Sequence, residues 1–363
     1  MTLAGAEMQI FYLARELRRR GWRVGVISML PPEALVKQLE DEGIRFASLE
    51  MRRKFPDPRK LFKLAALLRE WQPGILHCHM VHANLMGRLV RLLTPLPVVV
   101  STAHNINEGG RLRELLYRIT DPLTDITTQI SRIAMEHYIR IGAVPADRIR
   151  FIPNGLDLER FRPDPELRRE IREQLQLPGE FIWLAVGRFD EAKDYPNMLH
   201  AFAKATAARS GVLLLVGGDG LEEEMAPLAR ELGIGESVRF LGIRDDVQQL
   251  MKGVDGYLMS SAWEGMPMVL LEAAASALPI VTTDVGGNRE VVRDGVSGFV
   301  VEPGDANRLA SAIQRMMALP EEQRRAMGEA GRKLVEKHYG LAPIMEQWEA
   351  LYAELGKRSI SGH

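Results

Sequence analysis

The sequence predicts an α/β protein built from two doubly wound, parallel-sheet domains, and three observations support this. Short β-rich runs alternate with amphipathic helical stretches from Arg23 onward, a pattern typical of βα units on a parallel sheet. A polar, proline-containing segment, "GLDLERFRPDPELRREIREQLQLPGE", separates two such series. The length of 363 residues suffices for two domains. In such a fold we expect a ligand cleft at the carboxyl ends of the strands.

The predicted strands fall into two series. The first reads "RVGVISML", "IRFASLE", "GILHCH", "PVVVSTAH", "DITTQI" and "RIRFIPNG", and the second reads "FIWLAVG", "GVLLLVGG", "SVRFLG", "GYLMS", "PIVTTD" and "SGFVVEP". These series predict domains at 1–155 and 156–340. Residues 341–363 are predicted to form a crossover helix and tail that bridge the domains.

The first predicted domain has an unusual start. In a fold of this type a strand should lead into the glycine turn at Leu3 to Glu7, yet the chain begins at that turn. Either the sequence as given begins too late, or the first sheet lacks a strand that would normally be central and buried. A sheet without a central strand has two unpaired edges.

Composition excludes several classes of protein. Charged residues make up 26% of the chain and the net charge is −1, which argues against a nucleic-acid partner. A single cysteine, Cys78, excludes an intramolecular disulfide and fits a reducing compartment. No apolar run approaches the roughly 20 residues needed to span a bilayer, and the start resembles no signal peptide. A cytoplasmic protein is expected.

Two carboxylates lie eight residues apart in the apolar stretch "SAWEGMPMVLLEAAASALPIVTTDVGG". Gly265 and Pro267 make one continuous helix improbable, so the prediction is a loop followed by a helix with Pro267 in its first turn. Glu264 then lies in the loop and Glu272 on the second helical turn. Exposed amides at a helix start bind phosphate, so a ligand with both phosphate and hydroxyl groups would suit this stretch.

Two cations follow a predicted strand in "LAVGRFDEAKDYPNMLHAF". Arg188 and Lys193 lie between the strand and the next helix, where a guanidinium and an ammonium group suit a diphosphate. The alternative is a solvated surface loop. The nearby Glu264 stretch favours phosphate binding.

Histidines follow two strands of the first domain. His104 comes directly after "PVVVST", where a functional role competes with a purely structural one. His77 and His79 share one face of a strand by their alternation, but no set of acidic or cysteine partners lies near them, so no metal site is predicted. The chain also has no Asp-x-Asp. No metal or other cofactor is expected, and cationic side chains must neutralise a leaving diphosphate.

Basic clusters concentrate in the first half: "RELRRRGWR", "RRKFPDPRK" and "GRLREL". Each is either a solvated helix face or a surface that attracts anionic lipid. Phe55, Leu61 and Phe62 beside such charge favour peripheral contact with the inner face of a membrane.

These residues together resemble the retaining glycosyltransferases of family 4, whose GT-B architecture has two facing Rossmann-like domains. The most specific match is the Glu-x7-Glu motif, "EGMPMVLLE", from Glu264 to Glu272. Further matches are "AGAE", "IPNGLD", "GRFDEAKDY", "ALPIVTTDVGGNREVV" and "GVSGFVVEPGD". The resemblance covers essentially the whole chain.

The resemblance implies a role for each of the predicted side chains. Arg188 and Lys193 would hold the donor diphosphate, and Glu272 would accept hydrogen bonds from ribose hydroxyls. Glu264 would contact donor-sugar hydroxyls, and His104 would lie beside the anomeric centre.

Further donor-binding positions follow from the same resemblance. A glycine at the first turn would let backbone approach the phosphate, residues after "SVRFLG" would hold the nucleobase, and amides after Glu264 would aid sugar binding. These positions are Gly5; Gly242, Ile243 and Arg244; and Gly265, Met266, Pro267, Met268 and Val269.

The implied reaction is transfer of a sugar from a nucleotide diphosphate donor, with uridine preferred and guanosine second, to a hydroxyl acceptor with retention. The acceptor would be a glycan or a lipid-linked intermediate of envelope biosynthesis. A sugar-nucleotide epimerase of the same architecture and a non-catalytic nucleotide-sugar-binding protein are the alternatives.

Overall fold

The computed structural model describes residues 5–31, 35–52, 57–106, 110–176, 181–218 and 220–361. The chain divides into two compact units, one of Met1–Gly155 with Ala342–His363 and one of Leu156–Leu341. Every strand pairing in the described part of the chain is parallel. The predicted α/β class is therefore confirmed.

The described strands of the first unit form two parallel sheets, ordered β1-β2 and β3-β4-β5-β6. The strands are β1 (Gly25–Ser28), β2 (Arg45–Ser48), β3 (Ile75–His79), β4 (Val98–Ala103), β5 (Ile126–Gln129) and β6 (Ile149–Phe151). β4 is buried along its whole length, whereas β1 and β3, at sheet edges, are mostly half-buried. The absence of a central strand stays a prediction.

Helices cover the sheets of the first unit. They are α1 (Gly5–Arg19), α2 (Val36–Asp41), α3 (Arg59–Trp71), α4 (Val81–Val90), α5 (Arg111–Thr120) and α6 (Arg132–Arg140), with α15 (Leu341–Ser361) at the other end of the chain. Trp348 and Tyr352 of α15 share a buried cluster with Leu17 of α1 and Val98 of β4. Apolar burial therefore fixes the last helix to the first unit.

The second unit has one six-stranded sheet in the order β12-β11-β10-β7-β8-β9. Its strands are β7 (Phe181–Val186), β8 (Val212–Gly217), β9 (Val238–Gly242), β10 (Gly256–Leu258), β11 (Ile280–Thr283) and β12 (Gly298–Val301). Its helices are α7 (Pro165–Gln174), α8 (Tyr195–Thr206), α9 (Leu221–Glu231), α10 (Val247–Gly253), α11 (Met268–Ala275), α12 (Asn288–Val291), α13 (Ala306–Ala318) and α14 (Glu321–Tyr339).

Strand order in the second sheet places the candidate loops side by side. The runs "FIWLAV" and "VLLLVG" of β7 and β8 are almost entirely buried, as expected for parallel strands with both faces covered. β10 lies between β7 and β11. Because neighbouring parallel strands end at the same edge, the loops that follow β7, β10 and β11 meet there.

Helix boundaries follow the sequence signals with one small correction. α11 begins at Met268, and Pro267 precedes it with extended backbone, whereas we predicted Pro267 inside the first turn. A proline lacks an N–H but its φ suits both positions, so the sequence alone does not separate them. Among the described residues, no helix combines the length and the apolarity needed to cross a membrane.

Candidate functional site

Lys193 and Glu264 form an ion pair at the strand ends of the second unit. Nζ of Lys193 lies 2.5 Å from Oε1 of Glu264, and the two side chains are only 19% and 13% exposed. The hydroxyl of Ser261 donates a second hydrogen bond, of 2.8 Å, to the same oxygen. The structure therefore brings together two of the predicted site residues, from loops 71 residues apart in sequence.

Backbone contacts hold these two loops against each other. The amide of Ala262 donates to the carbonyl of Ala192 at 2.8 Å, and the hydroxyl of Ser260 donates to the carbonyls of Lys193 and Asp194 at 2.7 and 2.9 Å. Asp194 has a left-handed backbone, with φ of 47°, and its side chain accepts from the amide of Asn197 to cap α8. These hydrogen bonds fix the backbone on both sides of Lys193 and so position its side chain.

A third loop, after β11, packs against the backbone of Glu264 and Gly265. The amide of Gly287 donates to the carbonyl of Gly265 at 2.7 Å. Gly286 has φ of +52°, and a Cβ atom there would lie 2.3 Å from the carbonyl oxygen of Glu264. Sequence reasoning assigned no role to this Gly-Gly pair, although the "DVGG" run after a strand was a usable signal.

Glu272 is half-buried on α11 in the same unit. Burial raises the pKa of Glu272 to about 7, although the Arg160 guanidinium opposes this rise. No described side chain donates a hydrogen bond to its carboxylate. The charges of both Glu272 and Glu264 add to the burial that raises the pKa of Tyr257. Tyr257 on β10 is therefore within electrostatic reach of both carboxylates.

Arg188 is exposed in the loop after β7. It makes no hydrogen bond or ion pair with the part of the chain that the structure describes. Gly187 precedes it, and a Cβ atom there would lie 2.9 Å from the hydroxyl of Tyr195 and 3.1 Å from Cε of Lys193. The loop thus carries one paired cation, Lys193, and one cation available to an anion in solution.

The residues predicted to hold the nucleobase lie at the end of β9 and directly after it. Gly242 has φ of +63° and Ile243 is 61% exposed. Arg244 donates hydrogen bonds of 2.7 and 2.5 Å to the two carboxylate oxygens of Asp246. Asp246 therefore already uses much of the hydrogen-bonding capacity of Arg244. The assignment of these residues to a nucleobase stays a prediction.

The remaining candidates lie in the first unit. His104 follows β4 and is 9% exposed, and burial lowers its pKa to about 4. Its Nε2 lies 3.1 Å from Nδ1 of His79. His77 and His79 share one strand face, with ring centroids 4.0 Å apart. Among the described residues no group of three or more histidine, cysteine, aspartate or glutamate side chains could hold a metal ion.

Gly5 is the first residue of α1. The turn that precedes it, and Phe55 of the basic segment near Arg52, lie outside the described residues. Their predicted roles stay predictions.

Comparison with known proteins identifies the class. The family model described as "Glycosyl transferases group 1" matches residues 168–334, and the model "Glycosyltransferase Family 4" matches residues 3–160. The crystal structure of Anabaena HepE in complex with UDP matches with a TM-score of 0.85 at 20% identity, covering 97% of each chain. Two α/β units of this kind, with cations and carboxylates at the strand ends of the second, define a GT-B glycosyltransferase.

Two curated relatives have named reactions. The UDP-Gal:alpha-D-GlcNAc-diphosphoundecaprenol alpha-1,3-galactosyltransferase of Escherichia coli is 26% identical over 273 residues, covering 72% of this chain and 70% of the relative. A GDP-mannose-dependent alpha-(1-6)-phosphatidylinositol monomannoside mannosyltransferase of Mycobacterium tuberculosis is 28% identical over 271 residues, covering 71% of this chain and 68% of the relative. The chain belongs to glycosyltransferase family 4, and the predicted enzyme class is confirmed.

Proposed function

We propose that this glycosyltransferase moves a sugar from a uridine diphosphate sugar to a hydroxyl group of a glycan or lipid-linked acceptor, with retention at the anomeric carbon. The Lys193–Glu264 pair carries the proposal. It sets a cation suited to a diphosphate beside a carboxylate suited to sugar hydroxyls, at the strand ends where such folds bind nucleotides.

The donor diphosphate would be neutralised by side chains of one loop. Arg188 supplies an exposed guanidinium, and Lys193 supplies an ammonium group held in place by Glu264. Amides at the start of α11 add further donors. Preorganised donors of this kind stabilise the charge that develops on a leaving phosphate by roughly 3 kcal/mol each, so we propose metal-independent transfer.

Glu264 suits a binding role better than a nucleophilic one. Its Oε1 already accepts hydrogen bonds from Lys193 and Ser261, which leaves Oε2 to accept from a sugar hydroxyl. We propose that the acceptor hydroxyl attacks from the face that the diphosphate leaves, with a phosphate oxygen taking its proton. His104 would contact the sugar ring, Glu272 would accept from the ribose hydroxyls, and the segment after β9 would hold the base.

Uridine is the proposed base because one relative is named for UDP-Gal and a structural neighbour was crystallised with UDP. Guanosine is the alternative, since another relative is named for GDP-mannose. Both of these relatives are named for lipid-linked acceptors, which supports a lipid-linked acceptor here.

Contact with a membrane surface is part of the proposal. Four apolar side chains of α5 are exposed, and their spacing of three, four and seven residues places them on one helix face: Leu112 (70%), Leu115 (48%), Leu116 (37%) and Ile119 (63%). The same helix carries three arginines and one glutamate. An apolar stripe on a basic helix suits the surface of an anionic membrane. With the single cysteine, this supports a cytoplasmic enzyme at the inner membrane face.

Calorimetric titration with UDP and with GDP, both in chelator, tests the donor site. We expect UDP to bind without metal and Lys193→Ala to weaken that binding. Lys204→Ala, which removes a surface lysine bonded to Asn307, is the matched control. Absence of binding by either nucleotide would contradict the proposal, and tighter binding of GDP would reassign the base.

Product analysis separates the alternatives. A transferase turns over donor only with an acceptor, an epimerase releases an altered sugar without one, and a binding protein does neither. The anomeric configuration of the product, read by its ¹H coupling constant, tests retention.

A further inference from the structure

One half-buried and one buried histidine, His79 and His104, lie at the carboxyl ends of β3 and β4. The strands pair with His79 opposite Thr102, so the last residue of β3 comes beside the residue that follows β4. Nδ1 of His79 lies 3.1 Å from Nε2 of His104, and the ring centroids are 5.4 Å apart. The two imidazoles therefore form a direct hydrogen bond.

This bond couples the protons of the two rings. Burial lowers the pKa of His104 to about 4 and that of His79 well below its ordinary value, with His77 and His104 adding to the effect on His79. Both rings are therefore neutral near pH 7, and each has one N–H. A hydrogen bond needs one N–H and one lone pair, so the nitrogen that holds the proton of His79 decides which nitrogen of His104 holds its proton.

A hydrogen-bonded layer behind His79 fixes its ring. The ring of His77 lies 4.0 Å from that of His79, centroid to centroid. His77 is itself held at both nitrogens, by the hydroxyl of Tyr352 at 2.7 Å and by Oγ1 of Thr102 at 2.6 Å. Thr102 in turn shares a 2.6 Å hydrogen bond with Thr128. A ring backed by such a layer has little freedom to rotate.

We propose that His79 is a positioning residue for His104: through the Nδ1–Nε2 bond it fixes the ring orientation and the tautomer that His104 presents to the donor sugar. The inference rests on the proposed role of His104 in sugar binding. His79 itself touches no reacting atom in this scheme. Its effect on catalysis passes entirely through its neighbour.

The coupling can be measured without any reaction. In ¹⁵N-histidine spectra of the whole chain, His104 should populate a single tautomer. In His79→Leu, which has a side chain of similar size but no hydrogen-bonding group, the ¹⁵N shifts of His104 should change because the bond that selects its tautomer is lost. His79→Asn places a polar atom near the former Nδ1 and should restore one tautomer. Unchanged shifts of His104 in His79→Leu would overturn the proposal.

Kinetics supply the second readout. We expect His79→Leu to lower kcat about tenfold or more, since a misoriented His104 would stabilise the transition state of the sugar less well, with little change in KM for the donor. His79→Asn should recover most of kcat. A rise in KM at constant kcat, or equal losses in both variants, would mean that His79 acts only through packing.

Two controls keep the test decisive. Glu236→Gln, at an exposed position of the second unit, touches neither this layer nor His104, so it should leave the tautomer of His104 unchanged. Circular dichroism and thermal unfolding of each variant report whether the first unit, which carries the substitution, is folded. His104→Leu tests the proposed function separately: full activity in that variant would refute a role for His104 in the reaction, while the spectra would still decide whether His79 controls its tautomer.

Discussion

Nζ of Lys193 and Oε1 of Glu264 form a hydrogen-bonded ion pair of 2.5 Å. A diphosphate that binds Lys193 must therefore share the ammonium group with Glu264 or displace it. The pairing leaves neither charge uncompensated in a largely buried position, and it places the carboxylate that would hold the sugar next to the cation that would hold the phosphate.

Lys193→Ala is expected to lower turnover by about 100-fold or more, because it removes a preorganised donor to the leaving diphosphate. It should also destabilise the second unit, since Glu264 loses its partner at 13% exposure. Steady-state kinetics and thermal unfolding measure the two effects. Lys204→Ala should change neither, and near-normal turnover in Lys193→Ala would refute the assigned role.

Arg188→Met should behave differently from Lys193→Ala. Arg188 is exposed and has no partner among the described residues, so its removal should leave the melting temperature unchanged. The loss of a charge-assisted hydrogen bond should weaken UDP binding about tenfold or more. Calorimetry at two salt concentrations measures this, with Arg209→Met as a control for loss of charge. Unaltered affinity would place Arg188 in a solvated surface loop, the alternative reading of the sequence.

Gly286→Ala should destabilise the second unit and weaken donor binding together. The new Cβ would lie 2.3 Å from the carbonyl oxygen of Glu264, at a φ of +52°, and we expect a loss of roughly 3 kcal/mol in the free energy of unfolding.

Gly295→Ala is the matched control for that variant. Gly295 also has positive φ, of +72°, but a Cβ there meets nothing within 4 Å. It should lose only about 1 kcal/mol from backbone strain, with donor affinity retained. Equal losses of unfolding free energy in the two variants would show that position 286 requires glycine because of backbone strain and not because of contact with the Glu264 backbone.

Glu272 should make stability depend on pH. Its pKa of about 7 exceeds the ordinary 4.5, so the folded state binds the proton more tightly than the unfolded state does. The stabilising effect of protonation is full below about pH 4.5 and is lost as pH rises through 7. The cost at higher pH is on the order of 3 kcal/mol as an upper bound.

Glu272→Gln removes this dependence because the amide does not titrate. Without donor, the variant should gain stability relative to the wild type between pH 5 and pH 8, as measured by urea unfolding at each pH. For Glu236→Gln, at an exposed position, the free energy of unfolding should change with pH as it does in the wild type. A constant difference between Glu272→Gln and the wild type across this range would contradict the raised pKa.

The stripe on α5 should bind anionic vesicles. A Leu112→Ser, Ile119→Ser double variant loses the two most exposed side chains of the stripe and should reduce co-sedimentation with phosphatidylglycerol vesicles at least about tenfold. Val296→Ser, at another exposed apolar position, in the second unit, should bind like the wild type. Equal binding by the double variant would exclude α5, and Phe62 on α3 would then be the next candidate.

Much of the fold and part of the site follow from local sequence pattern. Alternating apolar runs and helical stretches predicted every strand in the part of the chain that the structure describes, because hydrophobic periodicity is set residue by residue. Gly265 and Pro267 correctly separated the Glu264 loop from the Glu272 helix. The same kind of reasoning placed Arg188 and Lys193 in one loop after a strand.

The sequence by itself therefore determined the α/β class, the family, and which charged residues lie at strand ends. Only the tertiary structure decided that Lys193 pairs with Glu264, that burial raises the pKa of Glu272, and that His79 bonds to His104. It also decided that the α5 stripe faces outward, since the same spacing would serve equally well for a helix face packed on the core. Ion pairing, burial and exposure depend on which segments, far apart in sequence, the strand order brings together. A local sequence pattern carries no information about which distant segment becomes the neighbour.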